Sequence, residues 1–129
     1  MTTTTDSNFV LVDSTGWIEF AGEGPRADQF APYVGLHERT LMPTIVIYEV
    51  TKKLLQTRGD EITNRFLSSA LRCVVVSLDE LLAQAAAKTS LLHRLPMADS
   101  IIYATAQAYD AELVTTDAHF QGLPGVTIL

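Results

Sequence analysis

Two rhythms alternate along this chain: short unbroken apolar runs, and longer stretches whose apolar residues recur at helical spacing. Phe9-Val-Leu-Val closes on Asp13 and reads as a buried strand. A short helix follows over 14–20, and Gly22, Gly24 and Pro25 break it. Pro25 suits the first turn of a second helix with Phe30, Tyr33 and Val34 on one face, closed by Gly35. Thr40-Leu-Met reads as a short strand. Thr44 caps a helix running to Thr57, with Ile45, Tyr48, Leu54 and Leu55 among its apolar positions. Beyond the turn at Gly59, Asp60 and Glu61 favour the positive end of a helix lined by Ile62, Phe66 and Ala70. Cys73-Val-Val-Val76 is strand-like. Ser77 and Glu80 are spaced as a capping box for a helix that buries Leu78, Leu81, Leu82, Ala85, Thr89 and Leu92. Pro96 restarts the chain into a helix carrying Met97, Ile101, Ala104 and Ala108 on one stripe. Glu112-Leu-Val-Thr115 is a strand, and 126–129 is the last.

Strands alternating with helices predict one α/β domain over 9–129, a parallel sheet covered on both faces. The polar segment 1–8 is read as a frayed terminus, without the basic and apolar regions of a secretory signal. No apolar run reaches the roughly 18 residues of a membrane span. With 47% hydrophobic and 19% charged residues, the composition is that of a globular protein. Cys73 is the only cysteine, which excludes an internal disulfide and suits a reducing, cytoplasmic setting. The net charge of −6 disfavours general binding to a phosphate backbone. Four of the acids belong to the cluster described next, and setting them aside takes −6 to −2.

Placing the carboxylates on this architecture brings four of them to one rim. Asp13 ends the first strand, and Asp117 follows the strand 112–115. In a parallel sheet those ends share the edge where open α/β folds bind ligands. Asp99 lies in the first turn of the helix that feeds the 112–115 strand, and Glu49 lies in the second turn of its own helix. Apposed carboxylates oppose one another's ionisation. Mg²⁺ or Mn²⁺, which prefer hard oxygen ligands, would remove that conflict. In nuclease sites such ions activate water and stabilise the leaving oxygen. The hydroxyls of Ser14, Thr15, Thr115 and Thr116 neighbour two of the acids and could bond water, phosphate or the carboxylates.

Each residue also has an ordinary role. Asp99 suits a helix start, and Asp13 and Asp117 suit turns. Glu49 stands apart because it interrupts an apolar stretch, Ile45-Val-Ile-Tyr-Glu-Val50, where a charge needs compensation. His37, His93 and His119 lack metal-ligand spacing and read as surface or packing residues; His119, near Asp117, is a remote candidate for substrate contact. Trp17 and Phe20 read as core or interface residues, and Cys73 as a buried apolar one. Lys52, Lys53, Arg58 and Arg94 could touch phosphate, with scattered surface charge as the default.

The segments Val10-Leu-Val-Asp-Ser-Thr15, Tyr48-Glu49, Leu95-Pro-Met-Ala-Asp-Ser-Ile-Ile-Tyr-Ala-Thr-Ala106 and Leu113-Val-Thr-Thr-Asp-Ala-His-Phe120 resemble the four signature segments of PIN domains. The likeness is greatest to the VapC-type toxins of toxin–antitoxin pairs, and it spans Phe9 to Leu129. The Asp99 segment followed by Thr115, Asp117 and Phe120 in Thr-x-Asp-x-x-Phe spacing is its most specific part. The resemblance implies a three-layer fold and a Mg²⁺-dependent endoribonuclease, with Mn²⁺ able to substitute. It implies that Asp13, Glu49, Asp99 and Asp117 are the catalytic, metal-binding acids, with Thr115 and Ser14 or Thr15 as auxiliary hydroxyls. It also implies a homodimer acting on RNA and held inactive by a small antitoxin that inserts an Arg or Lys near the acids. One position departs from the pattern: Thr116 stands where relatives often carry Arg, so one substrate contact is absent. The alternatives are another metal-dependent phosphoesterase, a receiver-like signalling domain, and a PIN-like scaffold without catalysis. A receiver would need a lysine near its late strands, and the last lysine here is Lys88, on a helix. No Gly-x-x-x-x-Gly-Lys loop supports nucleotide binding.

Overall fold

A computed structural model describes residues 9–129; the segment 1–8, expected to fray, lies outside them. Strand β1 (Val10–Val12) leads into helix α1 (Ser14–Ala21) and then α2 (Ala27–Val34). Strand β2 (Leu41–Pro43) is followed by α3 (Thr44–Thr57), α4 (Asp60–Ala70) and β3 (Val74–Val76). Helices α5 (Glu80–His93) and α6 (Met97–Ala108) precede β4 (Glu112–Thr115) and β5 (Val126–Ile128). Every strand pair is parallel. One ladder runs β1-β4-β5 with Leu11 opposite Leu113 and Leu113 opposite Val126; the other pairs β2 with β3. A single bridge between Val10 and Thr40 joins the two ladders, so the expected sheet is present but narrowly connected at its centre. Among the described residues, six α-helices flank it.

The apolar runs form strands because both of their faces meet helices: Leu11, Val12, Leu41, Met42, Leu113 and Val114 are all fully buried. Trp17, Phe30, Phe66, Tyr103 and Phe120 fill the same core. Gly16 permits the closest approach in this core. A Cβ there would lie 2.5 Å from Val12 Cγ1 and 2.6 Å from Phe30 Cε1. Its absence lets α1 settle against β1 and α2, which places the turn carrying Asp13. At the entry to α4, Gly59 adopts φ 87, a conformation that glycine takes without strain.

Five helix readings are corrected. The cap of α5 is Asp79, whose Oδ1 accepts from the Leu82 N–H at 2.8 Å, so Ser77 and Glu80 form no capping box. The helix buries only Ala86 and Thr89, with Leu82 half-buried, while Leu78, Leu81, Ala85 and Leu92 are exposed. Its partner is α6, met through Ala86, Ile101 and Ala104, and a small-residue contact covers a narrow stripe. In α3 the buried face is Val46, Val50 and Leu54; Tyr48 and Leu55 face outward. In α6 burial is continuous from Ser100 to Ala106, whereas Met97 and Ala108 are exposed. Thr44 is the first residue of α3, and the capping position is Pro43, without a side-chain bond. Asp79→Ala should therefore destabilise the protein by about 1 kcal/mol and Ser77→Ala by a few tenths at most. Urea unfolding of the two variants measures both.

Candidate active site

Four elements deliver the four predicted acids to one cleft of about 500 Å³, lined also by Ser14, Thr15, Tyr48, Lys52, Lys53 and His119. Asp13 sits where β1 turns into α1, and it is the N-cap of that helix: Oδ1 accepts from the Gly16 N–H at 3.0 Å. Thr15 Oγ1 donates to the same carboxylate at 2.9 Å, and Thr115 Oγ1 donates to Oδ2 at 2.6 Å. Asp13 is 2% exposed, so three donors hold a buried carboxylate in one orientation. Burial nevertheless pushes its pKa above the ordinary carboxylate value, with those donors and the nearby Asp117 charge acting on it in opposite directions.

Thr115 connects two acids. While its hydroxyl donates to Asp13, its oxygen accepts the Asp117 N–H at 2.8 Å, which fixes the backbone leaving β4. Asp117 in turn caps the short 3₁₀ turn Ala118–Phe120 by accepting from the His119 N–H at 2.9 Å. That turn swings the His119 ring back, with Nδ1 3.1 Å from Asp99 Oδ2 and 3.2 Å from Asp117 Oδ1. Asp99, in the first turn of α6, has its pKa raised to about 6 by burial first and by the Asp117 charge second, with His119 acting in the opposite sense. Glu49 is oriented from a different side: Ser14 Oγ donates to its Oε1 at 2.6 Å.

The tightest convergence is Asp99, Asp117 and His119, each offering one ligand atom within 4.8 Å of the others. Asp13 and Glu49 line the same cleft outside that triplet. Hard carboxylate oxygens whose ionisation is opposed by burial and by one another suit a divalent cation that would offset both. His119 was expected to be a packing or surface residue; the turn after Asp117 makes it a full member of the cluster. Lys52 and Lys53 also reach the cleft. Their spacing of three and four residues from Glu49 on one helix was the available signal. Of the other two candidate cations, Arg58 donates to the Gly22 carbonyl at 3.0 Å and Arg94 closes α5 in the left-handed conformation. His37 bonds Ser69 and His93 packs edge-on against Tyr103.

A parallel α/β domain with carboxylates gathered at the C-terminal edge of its strands presents them where open α/β folds bind ligands. The chain belongs to the PIN domain family, whose sequence model matches residues 10–126. Solved structures share the fold. A chain of a toxin–antitoxin complex from Klebsiella pneumoniae superposes with TM-score 0.78 at 22% identity, over 92% of this chain and 95% of that one. Mycobacterium tuberculosis VapC20, a toxin that cleaves the sarcin–ricin loop, gives 0.74 at 16% identity, over 91% and 96%. A chain of Rickettsia felis VapBC2, solved with a DNA fragment from its promoter, gives 0.70 at 14%, over 94% and 97%. No curated protein matches the sequence.

Proposed function

We propose that this protein is a divalent-metal-dependent endoribonuclease, the toxin of a VapBC-type toxin–antitoxin pair. The observation that carries the reading is the meeting of Asp13, Asp99 and Asp117 in one cleft, with two of them holding raised pKa values. Asp13, Glu49, Asp99 and Asp117 are the residues assigned to hold Mg²⁺, or Mn²⁺ in its place. A bound cation supplies the positive charge that lowers the pKa of an attacking water and offsets the developing charge on the leaving oxygen.

The protein's own groups position everything else. Thr15, Thr115 and the Gly16 N–H keep the Asp13 carboxylate from rotating, and Thr115 ties its position to that of Asp117. Ser14 occupies one oxygen of Glu49 and leaves the other for water or metal. Lys52 and Lys53 line the rim and can take phosphates of a bound strand, which answers the objection raised by the net charge of −6. Among the described residues no helix is long and apolar enough to cross a membrane; the cytoplasm is the site of action we assign. A homodimer and a small antitoxin complete the assembly we assign; a cationic antitoxin side chain would compete for the same acids.

The test is incubation of the purified chain with a mixed pool of transfer and messenger RNA in Mg²⁺, in Mn²⁺ and in EDTA. Cleavage with either metal and none in EDTA is expected. Equal cleavage in EDTA would contradict the reading.

A further inference from the structure

We infer that His119 is itself a metal ligand, and that it biases the site towards transition-metal divalent ions such as Mn²⁺ over Mg²⁺. The inference rests on the metal-dependent reading above and adds a nitrogen to its oxygen donors.

The geometry carries it. One ring nitrogen, Nδ1, faces two carboxylate oxygens from different elements at nearly equal distances, 3.1 Å to Asp99 Oδ2 and 3.2 Å to Asp117 Oδ1. An imidazolium there would pair with both carboxylates. Yet Nδ1 carries at most one proton and a single N–H bonds one acceptor well, whereas a divalent cation replacing that proton engages all three atoms. In the tautomer without that proton the Nδ1 lone pair meets two carboxylates with nothing between them, which is repulsive. An octahedral cation with ligands about 2.1 Å away places adjacent ligand atoms about 3.0 Å apart. The separations from Nδ1 match such a set, and all three donor atoms lie within 4.8 Å.

The backbone builds the same arrangement. The Asp117 carboxylate accepts the His119 N–H, and Thr115 Oγ1 accepts the Asp117 N–H, so the ring is aimed by a chain of bonds that starts at Asp13. The ring is 61% exposed at the mouth of the cleft, where an ion can enter. Imidazole binds transition metals in preference to Mg²⁺, whereas carboxylates serve both. A site of two carboxylates and one imidazole therefore discriminates where an all-carboxylate site would not.

The experiment uses the full chain with Mn²⁺ as the probe. Pulsed electron paramagnetic resonance of bound Mn²⁺ should show coupling to an imidazole nitrogen in wild type and none in His119→Ala. His37 and His93 lie on other contacts, so the signal has one source. Mn²⁺ affinity should fall at least about tenfold in His119→Ala. Mg²⁺ affinity, read by competition, should change less than about threefold. Circular dichroism of the variant checks that the fold is retained. Bound Mn²⁺ without nitrogen coupling in wild type overturns the inference and leaves the nuclease reading standing. So does an affinity that stays constant or rises in His119→Ala, since the ring would then be a bystander or a competitor. Failure of wild type to bind Mn²⁺ overturns the inference, and failure to bind Mg²⁺ as well overturns the nuclease reading.

Discussion

Asp99→Asn should bring RNA cleavage below detection, a loss of more than about a hundredfold, while making the metal-free protein more stable. Loss of a group that merely supports a ligand already costs 10- to 100-fold, and Asp99 is placed as a ligand itself. The stability gain follows from its environment. Its pKa is raised to about 6 in the folded protein, because burial and the Asp117 charge disfavour the carboxylate. The unfolded chain ionises at the ordinary value near 3.8. The native state thus loses stability as pH rises from about 4 to about 6, and the penalty stays constant above. Asparagine keeps the shape and removes the charge. After allowance for solvent screening of a partly exposed group, the gain is about 1–2 kcal/mol at pH 7, or about 3–6 °C in Tm. At pH 4 the gain should nearly vanish. Thermal unfolding at the two pH values in EDTA tests this. An equal Tm change at both would mean that the charge cluster is not its cause.

The second large effect is expected at Thr115. Its side chain is fully buried, donates to Asp13 at 2.6 Å and accepts from the Asp117 N–H at 2.8 Å. Thr115→Val keeps the volume, removes one of the three donors to Asp13 and leaves the Asp117 N–H without its acceptor. Unpaired buried polar groups cost about 1–3 kcal/mol, so a loss of about 2–3 kcal/mol is expected. Cleavage should fall about 10- to 100-fold because Asp13 and the Asp117 turn lose their common brace. Thr115→Ser restores the hydroxyl and should recover most of both. If valine were tolerated within about 0.5 kcal/mol with full cleavage, the brace would have no role.

Much of this site could be read from the order of residues. Val10-Leu-Val-Asp13 and Leu113-Val-Thr115 with Asp117 are apolar runs ending in acids, and two buried parallel strands must bring such ends to one edge. Asp99 and Glu49 followed from counting helical turns. The helix faces were less legible, because periodicity marks an apolar stripe without naming what covers it. On α5 leucines are as numerous as alanines, yet α6 meets the helix at Ala86, and Leu81 and Leu92 stay in solvent. The cap of α5 was misplaced for a related reason. Ser77 and Asp79 are both competent caps, and only the path of the chain leaving β3 selects Asp79. His119 is legible only as a remote candidate for substrate contact, because its place beside Asp99 depends on a single 3₁₀ turn. Sequence spacing of two from Asp117 does not say that the ring folds back across it.

The central claim, that these carboxylates support attack by water on an RNA phosphodiester, is tested most directly by the chemistry of the product ends. Cleavage fragments made by the wild-type chain in Mn²⁺ would be analysed for terminal groups, beside Asp99→Asn. Attack by water leaves a phosphate monoester on one side and a free hydroxyl on the other, and no cyclic phosphate. We predict linear ends from wild type and no fragments from Asp99→Asn. Cyclic phosphate ends, or fragments that persist with Asp99→Asn, would show that the ribose hydroxyl or another site does the work and would contradict the account.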